Sequence, residues 1–269
     1  MDLAWLKDAL LGDSVDRASL KDALLKKVYL PRLWLRRCGF EVVRKDRGTL
    51  LGLHLSTLFD QYKINVVIDV GARRGEYGNW LRRNGYKGWI VSFEPVAESF
   101  GFLAQTAARD PHWLAYNLAL GRERGEAKIN VTQLTFYSSF RNPSPYAFET
   151  FGSQPTVKFT ETVAVATLDE MFDQIISGIS DPHVYLKMDT QGWDLEVLEG
   201  AAESLTHVMA LQSEIATQAI YDGMPMMRES LDYFDRSGFA ISGLFPVNLD
   251  RKLRAVEFDC VAVRSPASP

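Results

Sequence analysis

The spacing of apolar positions changes near residue 64. Before it, Leu20, Ala23, Leu24 and Val28 recur at helical intervals behind Ser19-Leu20-Lys21-Asp22, a capping box with a short acid. Gly39 reads as the residue closing that helical stretch, "FEVVRK" as a short strand, and 49–62 as a further helix. After it, short apolar runs alternate with amphipathic stretches. The runs at 64–70, 89–93, 113–118, 183–188 and 207–213 read as strands, and continuous ones such as Val66-Val67-Ile68-Asp69-Val70 as buried parallel strands. Helices are predicted near 76–84, 96–108, 168–177, 194–205 and 226–237. "FAISGLFPV" and "AVEFDCVAV", around a polar turn, predict a terminal antiparallel hairpin. This pattern predicts an α/β protein with a doubly wound sheet, whose ligand lies at the carboxyl ends of the strands where their order reverses. Residues 121–166 break the rhythm. "GEAKINVTQ" and "TVKFTETVAVATL" read as extra paired strands around a Pro- and Ser-containing stretch, either a surface loop or an element covering the ligand edge.

The organisation expected is a helical N-terminal extension over 1–60 and one domain over 61–269. Between Ser19 and Gly48 nine Lys or Arg face three acids, but they interleave with core-spaced leucines, as on a solvated helix face. The net charge of −4 argues against binding nucleic acid through bulk charge, and no apolar run is long enough to span a bilayer. The first residues lack the basic and small-residue pattern of a signal peptide. Cys38 and Cys260 stand far apart without metal spacing, as buried thiols of a cytoplasmic protein.

Chemistry concentrates around "NVVIDVGARRGEYGNWL", where a buried strand gives way to Gly71 and Gly75. Glycine there permits positive φ and a close approach to the main chain. A dinucleotide site wants G-x-G-x-x-G and a helix N-terminus facing a pyrophosphate. Here the middle glycine is missing, and Glu76 opens the helix, where it would repel phosphate. Glu94, in "SFEP", lies 19 residues past Gly75, where an acid can accept hydrogen bonds from both ribose hydroxyls. A nucleoside with free ribose hydroxyls and no diphosphate fits, and S-adenosylmethionine is such a molecule. The four histidines do not gather: His112, His183 and His207 sit at strand entries, and His54 precedes the first strand. "NPSPY", Asn142 to Tyr146, is similar to the N-P-P-Y signature of amino-methyltransferases but lies in the insertion, so it reads as a turn.

"VVIDVGARRGEY", "SFEP", "NLALGRERGEAKINV", "SSF", "VATLDEMF", "VYLKMDTQGWDLEVLEGAA" and "LQSEI…YDG" together resemble the FkbM family of S-adenosylmethionine-dependent methyltransferases, in order from about Leu50 to Arg264. The resemblance implies a Rossmann-like, seven-stranded class I methyltransferase sheet and O-methylation of a small-molecule hydroxyl, often on a sugar or natural product. It places the cofactor against Asp69, Gly71, Ala72, Gly75, Tyr77, Glu94, Pro95, Asn117, Ala119 and Asp189. Asp189, Glu214 and Lys187 fall where methyl transfer occurs. Asp189 and Glu214 are open to two roles, proton acceptor or ligand of a divalent cation such as Mg²⁺. A plainer role for Asp189 is the N-cap of the next helix. Trp193, Tyr137, Phe140 and Tyr146 are candidates for a stacking wall. Arg73 departs from the family's smaller residue, commonly asparagine. The competing readings are a nicotinamide-dependent oxidoreductase and a non-catalytic binding protein of the same fold.

Overall fold

The computed structural model describes residues 50–265. The basic segment from Ser19 to Gly48, its capping box and Cys38 lie outside the described residues, so the extension expected over 1–60 is seen only in its last helix. That helix, α1 (Leu50–Gln61), leads into β1 (Val66–Val70), whose five residues are all buried. There follow α2 (Glu76–Arg83), β2 (Trp89–Phe93), α3 (Ala97–Ala107) and β3 (Trp113–Tyr116). Next come β4 (Ala119–Leu120), β5 (Gly125–Thr132), α4 (Pro145–Phe151) and β6 (Val157–Ala166). The chain continues through α5 (Leu168–Ile176), β7 (Val184–Met188), α6 (Asp194–Glu199) and β8 (Val208–Ala216). It closes with α7 (Met227–Arg236), β9 (Phe239–Leu249) and β10 (Ala255–Arg264).

Seven strands form one sheet in the order β3-β2-β1-β7-β8-β10-β9. The first five are parallel, while β10 runs antiparallel to both β8 and β9. Strand order therefore reverses between β1 and β7, the place where a doubly wound sheet opens a crevice. Apolar cores cover both faces. Val66, Ile68, Val70, Leu186 and Met188 meet α5 and α6 on one side, and Val67, Tyr185 and Val261 meet α1 to α3 on the other. This two-sided burial explains why the strands read as unbroken apolar runs.

The insertion holds the two expected strands. β5 and β6 pair antiparallel, and β4 joins β6 in a separate three-stranded sheet. Several boundaries shift. The strand expected over 113–118 stops at Tyr116 because Asn117 turns its amide back onto the carbonyls of Glu94 and Pro95, and the chain then crosses to the second sheet. The helix expected over 194–205 ends at Glu199. Gly200 follows, packed so closely on the backbone of Gly121 that a side chain there would collide with it. "NPSPY" is a helix start: Ser144 caps α4 by accepting from the Ala147 amide, with Pro145 in the first turn.

Candidate active site

The carboxyl ends of β1, β2, β7 and β8, with the amino-terminal half of the antiparallel β10, open into a cavity of about 530 Å³, within the roughly 300–1,000 Å³ of ordinary ligand sites. Gly71, Ala72, Tyr77, Glu94, Pro95, Ala119, Lys187, Asp189 and Glu214 all line it. Three residues of the expected set stand behind its wall. Asp69 is fully buried and ion-paired to the Lys187 ammonium at 3.0 Å. Asn117 ties the turn after β2, donating to Glu94 O and Pro95 O at 2.9 and 3.0 Å. Gly75, at φ +85°, packs its side-chain position against Leu103 and Trp113 rather than toward the cavity. The close approach at Gly71 comes likewise from the protein itself, because its missing side chain leaves room for the Asp189 carbonyl.

Glu94 is nearly buried, and each oxygen accepts a backbone N–H: Oε2 from Arg73 at 2.8 Å and Oε1 from Val96 at 2.9 Å. Burial pushes its carboxyl up to about 7, against the pull of the two amides. Arg73 itself is left-handed at φ +50°, a region asparagine enters more readily than arginine, which gives a physical reason for the family's usual residue. Its side chain leaves the cofactor end and reaches the insertion, donating to Thr135 Oγ1 at 2.9 Å and pairing with Glu76 at 3.0 Å.

Adjacent strands set the polar floor. Register places Asp69, Lys187 and Gln212 side by side, and Glu214 opposite Asp259. Burial alone would lower the Lys187 pKa, but the charges of Asp69 and Asp189 outweigh it and hold the ammonium protonated. Lys187 lies 3.5 Å from Asp189 Oδ2 and over the Tyr77 ring at 5.1 Å from its centroid. Gln212 is gripped from both sides, accepting from the Tyr185 hydroxyl at 2.9 Å and donating to Asp259 at 2.7 Å. Burial, with the charges of Asp189 and Glu257 adding to it, drives the Glu214 pKa well above the ordinary glutamate value. Glu214 lies within β8, two residues short of the strand's end, rather than closing it.

Asp189 is not the helix cap. The cap position is Trp193, with no side-chain cap bond, and Asp194, the first helical residue, ties the preceding loop instead, accepting from the Thr190 amide at 3.0 Å, from the Thr190 hydroxyl and from Ser213 at 2.6 Å. Asp189 instead meets Gln191, whose Nε2 donates at 3.0 Å both to Asp189 Oδ1 and to Glu214 Oε2. Gln191 also lines the cavity. The only signal for it in the sequence is its place inside "MDTQGWD". Asp189 and Glu214 thus converge on an amide, and among the described residues no group of three or more His, Cys, Asp or Glu side chains is arranged to hold a metal ion. The cation ligation left open for this pair finds no support in that arrangement.

The insertion contributes Ile129, Thr135, Phe136, Ser138 and Phe140 to the wall. Arg141 fastens it to the β7–α6 loop, donating to Gly192 O at 2.7 Å and pairing with Glu196. Trp193 lines the cavity against Phe140, whereas Tyr146 points elsewhere and binds Asp250. The histidines stay structural: His54 meets Ser242 on β9, His183 meets the Tyr62 carbonyl, and His112 and His207 pack on Trp89 and Phe172.

A seven-stranded sheet in this order, with a glycine turn after β1, an acid at the end of β2 and polar residues at the end of β7, is the architecture of class I methyltransferases. The Methyltransferase FkbM domain model matches residues 69–241. The chain belongs to the FkbM methyltransferase family, and the oxidoreductase alternative falls with that finding. No curated protein matches the sequence. Among solved structures, it is similar to methyltransferase FkbM from Methylobacillus flagellatus, at 17% identity and a TM-score of 0.44, over 74% of this chain and 43% of that one. The chain thus spans less than half the length of that relative. It is also similar to magnesium protoporphyrin IX methyltransferase from Synechocystis with bound SAM, at 12% identity and a TM-score of 0.41, over 94% of this chain and 100% of that one. A third is 1,6-didemethyltoxoflavin-N1-methyltransferase from Burkholderia thailandensis, with bound 1,6-didemethyltoxoflavin and S-adenosylhomocysteine, at 10% identity and a TM-score of 0.42, over 95% and 93% of the two chains.

Proposed function

We propose that the chain, through a domain beginning near residue 61, transfers methyl groups from S-adenosylmethionine to a hydroxyl of a small molecule such as a sugar or natural product. The observation that carries this is the placement of Glu94 and Asp189 on opposite sides of the Gly71 turn in one cavity. Glu94, held by two backbone amides, is suited in its ionised form to accept from ribose hydroxyls. Gly71, Ala72, Pro95 and Ala119 offer close, mostly apolar surface to the rest of the nucleoside. Glu76, which opens α2, and Asp189 put negative charge on the lining, which disfavours a diphosphate there.

Bound there, S-adenosylmethionine supplies a methyl carbon on a positively charged sulfur. The chain's part is to bring the acceptor oxygen into line and to take its proton as the new bond forms, and alignment supplies much of the acceleration. Asp189 is the proton acceptor in this reading. Glu214, whose burial favours its neutral form, shares the Gln191 amide with it, and Lys187 balances the Asp189 charge. Tritium transfer from methyl-labelled S-adenosylmethionine into a low-molecular-weight extract, followed by mass spectrometry of the product, tests the reading. A labelled ether supports it. A labelled amine moves the acceptor to nitrogen, and cofactor binding without transfer favours the non-catalytic alternative. No helix among the described residues is long and apolar enough to cross a membrane, and a cytoplasmic setting suits this cofactor.

A further inference from the structure

Gln191 was not among the residues the sequence nominated, yet four hydrogen bonds converge on it. Its Nε2 donates to Asp189 and Glu214. Its Oε1 accepts from the Tyr221 hydroxyl at 2.7 Å. Its backbone carbonyl accepts from Ser139 Oγ, also at 2.7 Å. The amide has one orientation that satisfies all partners, because the carboxylates need donors and the phenol, buried and un-ionised, supplies a proton. The backbone is committed as well. Gln191 is left-handed at φ +53°, followed by Gly192 at φ +85°, a conformation that is strained at a non-glycine residue and persists only where its surroundings enforce it. Here the enforcers are Ser139 and Arg141 of the insertion, which bind the carbonyls of Gln191 and Gly192.

We propose that Gln191 is a positioning residue for methyl transfer: its single amide nitrogen fixes the Asp189 and Glu214 carboxylates side by side at the acceptor oxygen's place, and the insertion holds that amide in register. This rests on the reading of the cavity as a methyl-transfer site. A glutamine suits the task better than a glutamate, which has no N–H to give both carboxyl groups and would set a second negative charge beside Asp189. Tyr221 belongs to the same device, since without its hydroxyl the amide is free to turn its oxygen toward the carboxylates.

The test has two arms on the full chain. In the first, the Gln191 side-chain amide resonance is assigned by its loss in Gln191→Glu. Its protons should exchange with solvent at least about tenfold more slowly than those of exposed glutamines, because both are engaged, and Tyr221→Phe should shift and accelerate them. In the second, tritiated methyl transfer to a low-molecular-weight extract should fall about a hundredfold in Gln191→Glu, the scale of a misaligned reacting group. S-adenosylhomocysteine affinity should stay within about threefold. Tyr221→Phe leaves the Ser139 and Arg141 bonds to the loop carbonyls in place and gives up, besides the Gln191 contact, only the bond to the Tyr137 carbonyl; it should show a smaller loss of the same kind and guards against misfolding of the first variant. Rapid amide exchange in the wild type, undiminished transfer in Gln191→Glu, or a cofactor affinity that falls in step with transfer would each overturn the proposal. A protected amide in a wild type that binds no S-adenosylhomocysteine would sink the functional reading and leave the anchoring of Gln191 standing.

Discussion

The backbone carbonyl of Asp189 occupies the space a side chain on Gly71 would need. The glycine that seemed to make room for a ligand makes room first for the neighbouring strand, bringing the ends of β1 and β7 together at the reversal of strand order. The cofactor-facing turn and the proposed methyl-transfer carboxylate are therefore one packed unit.

Gly71→Ala should be costly on both counts. It places a Cβ against that carbonyl at φ +77°, so a loss of about 2–3 kcal/mol in urea unfolding is expected, together with weakened S-adenosylhomocysteine binding. Gly75→Ala meets only the Leu103 and Trp113 side chains, at 3.1–3.3 Å. It should cost about 1–2 kcal/mol through its φ and leave affinity near wild type. Equal effects of the two on affinity would contradict the separate places assigned to them.

Lys187 is the counter-charge of a fully buried carboxylate. Lys187→Met should destabilise by about 3–5 kcal/mol, since it leaves Asp69 charged and unpaired in the core. Adding Asp69→Asn should recover much of that loss. A double-mutant cycle with no coupling would mean that the pair does not act as one.

Glu94 predicts two opposite pH slopes. Its folded value of about 7 lies above the ordinary 4.5, so its contribution to the unliganded protein is full below about pH 4.5 and lost as pH rises through 7. The total is on the order of 3 kcal/mol. Binding to ribose hydroxyls requires the ionised form, so S-adenosylhomocysteine affinity should rise with pH and level off above 7, falling about tenfold per unit below it. Thermal scans and calorimetry over pH 5–8 check both slopes. Parallel slopes would remove Glu94 from the cofactor site.

The fold was legible because both faces of the sheet are covered, which turns β1, β2 and β7 into apolar runs that only buried parallel strands explain. Glu94 was legible because its distance from the glycine turn is fixed by one helix and one strand. The parts set by long-range contact were not. Nothing local tells that Asp69 is spent on Lys187, that Asn117 faces its own backbone, or that Gly75 packs against Trp113. Gln191 escaped because its partners Glu214, Tyr221 and Ser139 come from distant segments. Asp189 is not the cap of the helix after β7, because that loop adds a left-handed pair, Gln191 and Gly192, before the helix begins at Asp194.

Arg141 should be the fastening of the insertion. It reaches Gly192 O, Gly223 O at 2.6 Å and Glu196 from one guanidinium, so Arg141→Ala should speed amide exchange at Asn130 and Ser139, which hydrogen-bond across the insertion. Exchange unchanged from wild type would show that β5 and β6 hold the segment without it.

The central claim, that this cavity takes S-adenosylmethionine with Glu94 on the ribose, is tested most directly by titrating S-adenosylhomocysteine into the wild type and Glu94→Ala in a calorimeter. The account predicts saturable one-to-one binding in the wild type, a loss of about 1.5–3 kcal/mol in the folded variant, and no heat from a nicotinamide dinucleotide in either. Equal affinity in the two proteins, or a nicotinamide dinucleotide binding more tightly than S-adenosylhomocysteine, would contradict it.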